Sequence, residues 1–268
     1  TLLYTSRKRP MRAGQKKNSV KNVKSILLLF LGTIGSAGLS FLSQILFARK
    51  LTPSEYGLLA SYLVTINMLL PIAGFGVGQF WLRVFGTEGY SAQRWVRPSL
   101  RLIGSSSLIA CLLYVLWSWF SSRGENPNLF IWFFIPLIFS YALVELVTAH
   151  LQLGERYSFL ALWQSVSYIS RFLVALSLVV FGGTLKHVGI GFFCTALAII
   201  ICGVFLIKEI LQGKAQLIGH LKSSQRANFT TQPGMVQVVQ NAWPFALAGF
   251  FYLIYFQSDI LLLKWLID

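Results

Sequence analysis

Seven times along this chain an apolar run of about 20 residues follows a short polar stretch. A run of that length crosses about 30 Å of hydrocarbon as a helix, the one open-ended structure that satisfies its own backbone polar groups there. The expected spans are Ser25 to Ala48, Gly57 to Leu82, Leu100 to Phe120, Leu129 to Leu153, Ser158 to Phe181, Gly189 to Ile207 and Asn241 to Leu266. The fold class that follows is an all-α integral membrane protein of about seven transmembrane helices. Composition agrees: 55% of residues are hydrophobic and 12% charged, about half the charge of an ordinary soluble domain. Short alternating strands, the mark of a membrane barrel, are absent.

The formal net charge of +15 does not point to nucleic acid, because the basic residues sit between apolar runs and not on one aromatic-rich surface. They instead set an orientation. With the N-terminus inside, cytoplasmic segments hold seventeen of the 23 Lys and Arg, and outer loops only Arg49, Lys50, Arg123 and Lys186. Trp81, Trp95, Trp163 and Trp243 then fall near inner span ends, and Trp117, Trp119, Trp132 and Trp265 near outer ones, as interfacial belts would. The organisation expected is a disordered basic tail at 1–24, a six-helix lobe at 25–207, a basic cytoplasmic linker at 208–240, and a first helix of a second lobe at 241–268. Cys111, Cys194 and Cys202 all lie inside apolar runs and imply no disulfide or metal framework.

At an offset of 215 residues, Phe41, Ser43, Ile45, Leu46 and Leu51 meet identical residues at Phe256, Ser258, Ile260, Leu261 and Leu266. Between them Gln44 meets Asp259, and Arg49 meets Lys264. Span seven thus restarts the pattern of span one, as in transporters built from repeats.

A few residues carry possible chemistry. Glu145 and Arg171 lie inside spans four and five, where an isolated charge is expensive, so each should face protein or a wet cavity. At 1.5 Å per residue they sit at depths of roughly 12 and 19 Å, close enough for an ion pair through the long Arg side chain; a substrate-facing Arg171 is the other reading. Gly32, Ser36, Ser40 and Gln44 form a small, weakly polar stripe on span one, suited to helix packing or to a cavity wall. Pro71, with Gly74, Gly76 and Gly78, removes a backbone hydrogen bond and loosens span two, which suits a bending helix, although membrane helices also tolerate Pro and Gly without motion. Arg83 ends that span, and Asp259 and Lys264 are close enough along span seven to pair. Among enzyme signatures, only His150 with Glu155 offers a base and a partner, in a His-x-x-x-x-Glu spacing loosely like an acyltransferase's; no metal spacing, phosphate loop or catalytic triad accompanies it.

Span one ends in Ala48-Arg49-Lys50-Leu51-Thr52-Pro53-Ser54-Glu55-Tyr56-Gly57. This resembles the Ala-Arg-x-Leu-Gly-Pro-x-x-(Phe/Tyr)-Gly hairpin of Wzx-type polysaccharide flippases, in the superfamily that also holds the MATE multidrug exporters. Gly74-Phe75-Gly76, Arg83, Gln152-Leu153-Gly154-Glu155-Arg156 and Asp259 add weaker likenesses, and Thr52 departs from the family's glycine. The resemblance, from about Val20 to Asp268, implies two lobes around a central cavity, of which these residues supply the first lobe and one further helix. It also implies no enzymatic activity and no cofactor, with coupling to an ion gradient as an option. The implied work is moving undecaprenyl-pyrophosphate-linked oligosaccharide across the bacterial plasma (inner) membrane, beside a polysaccharide polymerase and glycosyltransferases. Arg49, Arg83, Arg171 and Lys264 are then the expected contacts to the anionic substrate, Gln44, Glu145 and Asp259 cavity or pairing residues, and Pro71, Gly74 and Gly76 the hinge. A cation-coupled multidrug exporter and a His150 acyltransferase are the competing readings.

Overall fold

A computed structural model describes residues 13–121, 129–212 and 232–267, with side chains at 27–119, 131–208, 210–212 and 232–255. Its elements are helices: α1 (Ala13–Lys50), α2 (Pro53–Gly74), α3 (Val77–Glu88), α4 (Val96–Ser121), α5 (Ile135–Leu153), α6 (Tyr157–Phe181), α7 (Leu185–Leu211) and α8 (Met235–Ile267). Two 3₁₀ segments, Gly89–Trp95 and Leu129–Phe134, lead into α4 and α5. Among the described residues six segments are long and apolar enough to cross a bilayer. One of them, Pro53–Trp119, is 67 residues long, more than three times what one crossing needs. It contains α2 and α4, of 22 and 26 residues, each close to the length of a single pass.

Helix α1 lies along α6, α5 packs on α7 and α2, α2 on α4, and α8 lies against α2, α3 and α4. The core between them contains an aromatic cluster: Phe134 stacks on Tyr62 at 5.7 Å and approaches Phe192 at 5.6 Å between ring centroids. The outer faces remain apolar, with Phe30, Phe41, Leu108, Phe181 and Phe205 all exposed. Such a surface is a liability in water and an ordinary one in lipid.

Three sequence expectations change. Helix α1 starts at Ala13, so the Ala13 to Lys24 part of the expected disordered tail continues the first span as helix. Extending a helix already nucleated by Ser25 to Ala48 costs little, and Lys, Gln and Ala are good helix formers. Residues 1–12, and most of the linker, lie outside the described residues. The tryptophan belt holds only in part. Trp117, Trp119, Trp132 and Trp243 are exposed, but Trp81 and Trp163 are core residues, and Trp95 hydrogen-bonds Glu88. Position along a span predicts depth in the membrane; it does not predict which side of the helix faces lipid.

The third change is span two, which is broken and not merely bent. α2 stops at Gly74; Phe75 and Gly76 take left-handed backbone angles, with φ of 47° and 64°, and α3 starts at Val77. Pro71, without an N–H, has already removed one hydrogen bond from the ladder. The freed Ala73 carbonyl accepts from Ser106 Oγ of α4 at 2.8 Å and from Ser107 Oγ at 3.4 Å. Helix α8 crosses so close that a Cβ on Gly76 would lie 2.6 Å from Phe245 Cβ and 2.7 Å from the Ala246 nitrogen.

The hairpin between α1 and α2 owes its form to capping. Leu51 is buried and closes the turn, its N–H donating to the Phe47 carbonyl at 2.9 Å. Thr52 is the N-cap of α2: its Oγ1 accepts from the Glu55 N–H at 3.3 Å while Glu55 Oε2 accepts from the Thr52 N–H at 3.0 Å, with Pro53 at the first helical position. This reciprocal box satisfies two orphan donors at once, and so explains the Leu-Thr-Pro-Ser-Glu run. Arg49 and Lys50 occupy the last turn of α1, where the helix dipole favours positive charge. Their place on the expected outer side is thereby accounted for.

Thr52→Ala should lower stability by about 1 kcal/mol, and Thr52→Ser should not; thermal midpoints of the detergent-solubilised protein check both. Gly76→Ala should cost about 1–2 kcal/mol from its left-handed backbone alone, plus whatever α8 loses in moving aside. Gly35→Ala, inside α1 with nothing within 4 Å of the added carbon, is the control that should not lower the midpoint, since Ala is favoured over Gly in a helix interior.

Candidate functional site

A cavity of about 570 Å³ lies where α1, α2, α5 and α6 meet. That volume lies within the range of small-molecule sites. α6 supplies its polar wall. Gln164, Ser167, Tyr168 and Arg171 follow one another at spacings of three, one and three, and so share one face of that helix. Asn67 of α2 and Tyr141 of α5 face them. From α1 come Gly32, Thr33 and Ser36, so the front half of the small-residue stripe both packs on α6 and lines the cavity. A Cβ on Gly32 would meet Ala161 Cβ at 3.5 Å, and Ser36 Oγ donates to Ser165 Oγ at 3.0 Å. Gln44, at the back of the stripe, is exposed and outside the cavity lining.

Two polar atoms here have no hydrogen-bond partner although they are buried: Ser167 Oγ and Arg171 Nε. Ser36 and Ser165, by contrast, are satisfied through the chain Ser36 to Ser165 to the Ala161 carbonyl at 2.9 Å. A buried donor without a partner is costly. Arg171 stands ten residues from the end of α6 at Phe181 and fourteen from its start at Tyr157, which is about 15 and 21 Å along the axis. The cation is therefore held near mid-membrane.

The expected ion pair between Glu145 and Arg171 does not form. Among the described residues the salt bridge present is Arg94 to Glu88, at 3.2 Å. Glu145 instead turns toward the break between α2 and α3. Its side chain packs on Gly78, where an added Cβ would lie 3.0 Å from Glu145 Cγ and Oε1. A Cβ on Gly74 would collide with Glu145 Oε2. The reason is geometric. Val144 and Tyr141 face the cavity, and Glu145 sits at the edge of that helical face. Gly74 and Gly78 make the notch that the carboxylate fills.

The remaining predicted residues are scattered. Arg49 at the end of α1 and Arg83 on α3 are both exposed and line no part of the cavity. Asp259 and Lys264 lie on α8, beyond the residues whose side chains are described, as does the second half of the proposed repeat. His150 is buried in the last turn of α5, away from the cavity, and Glu155 is exposed with a φ of 49°. A buried imidazole and an outward carboxylate do not make a base and its orienting partner.

The sequence reading missed Asn67, Tyr141, Gln164, Ser167 and Tyr168. The signal for those on α6 was present in their helical spacing to Arg171. A second group also escaped notice: Arg94 makes two 3.2 Å contacts to the Glu88 carboxylate, its guanidinium lies 5.5 Å from the Trp95 ring centre, and Gln93 Nε2 donates to the Ile210 carbonyl at 2.7 Å. Gln93 fastens the Gly89–Trp95 segment to the end of α7, and Arg94 ties it back to the end of α3.

No curated protein and no solved structure matches the chain. A family model does, described as polysaccharide biosynthesis protein and matching residues 22–268. That match runs from α1 to α8 and takes in every wall of the cavity, and it places this multi-pass membrane protein in the polysaccharide biosynthesis protein family, whose members are transporters.

Proposed function

We propose that the protein is a flippase that carries undecaprenyl-pyrophosphate-linked glycan from the inner to the outer leaflet of a bacterial plasma membrane, with its N-terminus in the cytoplasm. The observation that carries this reading is the cavity itself: a mid-membrane, polar-walled space in a polysaccharide biosynthesis protein, with a guanidinium nitrogen that lacks a partner. Polar and charged groups do not cross hydrocarbon unaided, and fixed donors in a shielded cavity replace their lost hydration.

In this scheme Arg171 holds the anionic substrate midway. Arg83, exposed on α3, meets it on the cytoplasmic side, while Arg49, with Lys264 of α8 as its second-lobe counterpart, receives it on the outer side. The fixed break at Phe75 and Gly76 gives α2 and α3 separate directions, and α8 bears directly on it. A lobe that rocks with α8 therefore acts on this joint first. A polysaccharide polymerase and the glycosyltransferases that build the glycan are the expected neighbours.

The drug-exporter reading asks for a carboxylate facing a cationic substrate. Glu145, the carboxylate nearest the cavity in sequence, packs against Gly74 and Gly78 and does not line the cavity.

Arg171→Gln should reduce glycan export about tenfold or more at unchanged protein level, since a charge-assisted hydrogen bond contributes about 1.5–3 kcal/mol, and lipid-linked glycan should accumulate in the inner leaflet. Arg171→Lys should retain part of the activity. Cell-surface glycan and radiolabelled lipid-linked intermediates are the measurements, and undiminished export in Arg171→Gln would remove Arg171 from the pathway.

A further inference from the structure

The chemistry of the cavity says which part of a lipid-linked glycan belongs in it. Of its described lining residues Arg171 alone is charged. A pyrophosphate carries more than one negative charge and needs several cations, or a metal ion, to be held away from water. One guanidinium matches a single carboxylate, which it can grip through two parallel N–H bonds.

The rest of the wall is unlike a headgroup site as well. Asn67 and Gln164 each offer a donor and an acceptor, and Ser167 Oγ is buried without a partner. Alternating donors and acceptors of this kind suit a ring of hydroxyl groups. Tyr141 and Tyr168 add flat faces with polar tips, against which the C–H face of a sugar ring can lie. Ser36 and Ser165 are already bonded to each other, so recognition falls to the α6 face that carries Gln164, Ser167, Tyr168 and Arg171.

We infer that the cavity between α1, α2, α5 and α6 is a sugar subsite for a carboxylated hexose unit of the glycan, with Arg171 on its carboxylate and Ser167 and Gln164 on its hydroxyls. The pyrophosphate end of the same substrate lies outside this cavity. This rests on the flippase reading and deepens it.

The test is calorimetric titration of the purified full chain in lipid nanodiscs with methyl glucuronide, methyl glucoside and inorganic pyrophosphate. Methyl glucuronide should bind at least tenfold more tightly than methyl glucoside, and pyrophosphate should not compete with it. Arg171→Gln should erase the tenfold preference while methyl glucoside binding stays unchanged, which a merely structural Arg171 would not do. Arg171→Lys keeps the charge if the Gln variant fails to fold, and should retain a preference of reduced size. Ser167→Ala should weaken both sugars alike. Arg171-dependent binding of pyrophosphate tighter than that of the glucuronide overturns the sugar assignment and leaves the flippase reading in place, as does absent glucuronide binding in a protein that still exports glycan. Failure of a deletion strain to lose any glycan export overturns the flippase reading itself.

Discussion

A backbone N–H or C=O has no partner in hydrocarbon, and this chain opens its helical ladder between Gly74 and Val77, well inside the bundle. Ser106 stands ten residues from the start of α4, Glu145 eight from the end of α5, and Phe245 ten from the start of α8, all about 12–15 Å from the same end of the bundle. From these three helices come the groups that stabilise the break. Two serines take the stranded Ala73 carbonyl, the Glu145 side chain fills the notch at Gly74 and Gly78, and α8 seals the left-handed turn at Gly76. Each is a requirement of the break and not an ornament on it. Removing any one would leave a buried polar group or a void where packing is closest.

That arrangement also decides the electrostatics of the cavity. Had Glu145 reached Arg171, the two charges would have neutralised each other and the cavity would present no net charge. Because the Glu145 side chain lies against Gly74 and Gly78 instead, the Arg171 guanidinium makes no ion pair with it. The same break therefore sets the direction of α3 and leaves one cation exposed to the cavity. Pairing of α1 with α6, through Gly32 against Ala161 and Ser36 with Ser165, closes the remaining wall with small side chains and leaves room beside them.

Much of the fold was legible from the chain alone. Apolar run length identified the helices, because a backbone in lipid has few other solutions, and the Leu51 to Gly57 run signalled a turn whose capping box the structure then displayed. Glycine and proline spacing at Pro71, Gly74 and Gly76 marked the place of the break, though not that the helix stops and restarts. The site was less legible. Arg171 stood out because a charge in an apolar run is costly, whereas Asn67, Tyr141 and Ser167 are ordinary residues in a membrane helix. Their importance comes from convergence, which no one helix reveals. Trp81 and Trp163 misled for a related reason, since sequence gives their height in the membrane and not their azimuth.

By itself, the sequence determined the class of fold, the approximate extent of the helices, the cap of α2 and the membership of Arg171 in a membrane interior. These are local matters, governed by transfer of apolar surface, backbone satisfaction and capping within a few residues. Only the tertiary structure decided where the charges point. Whether Glu145 meets Arg171 or the notch at Gly74 and Gly78 depends on helices distant in sequence. Position along a helix fixes depth; the partner a charge finds at that depth is fixed by packing.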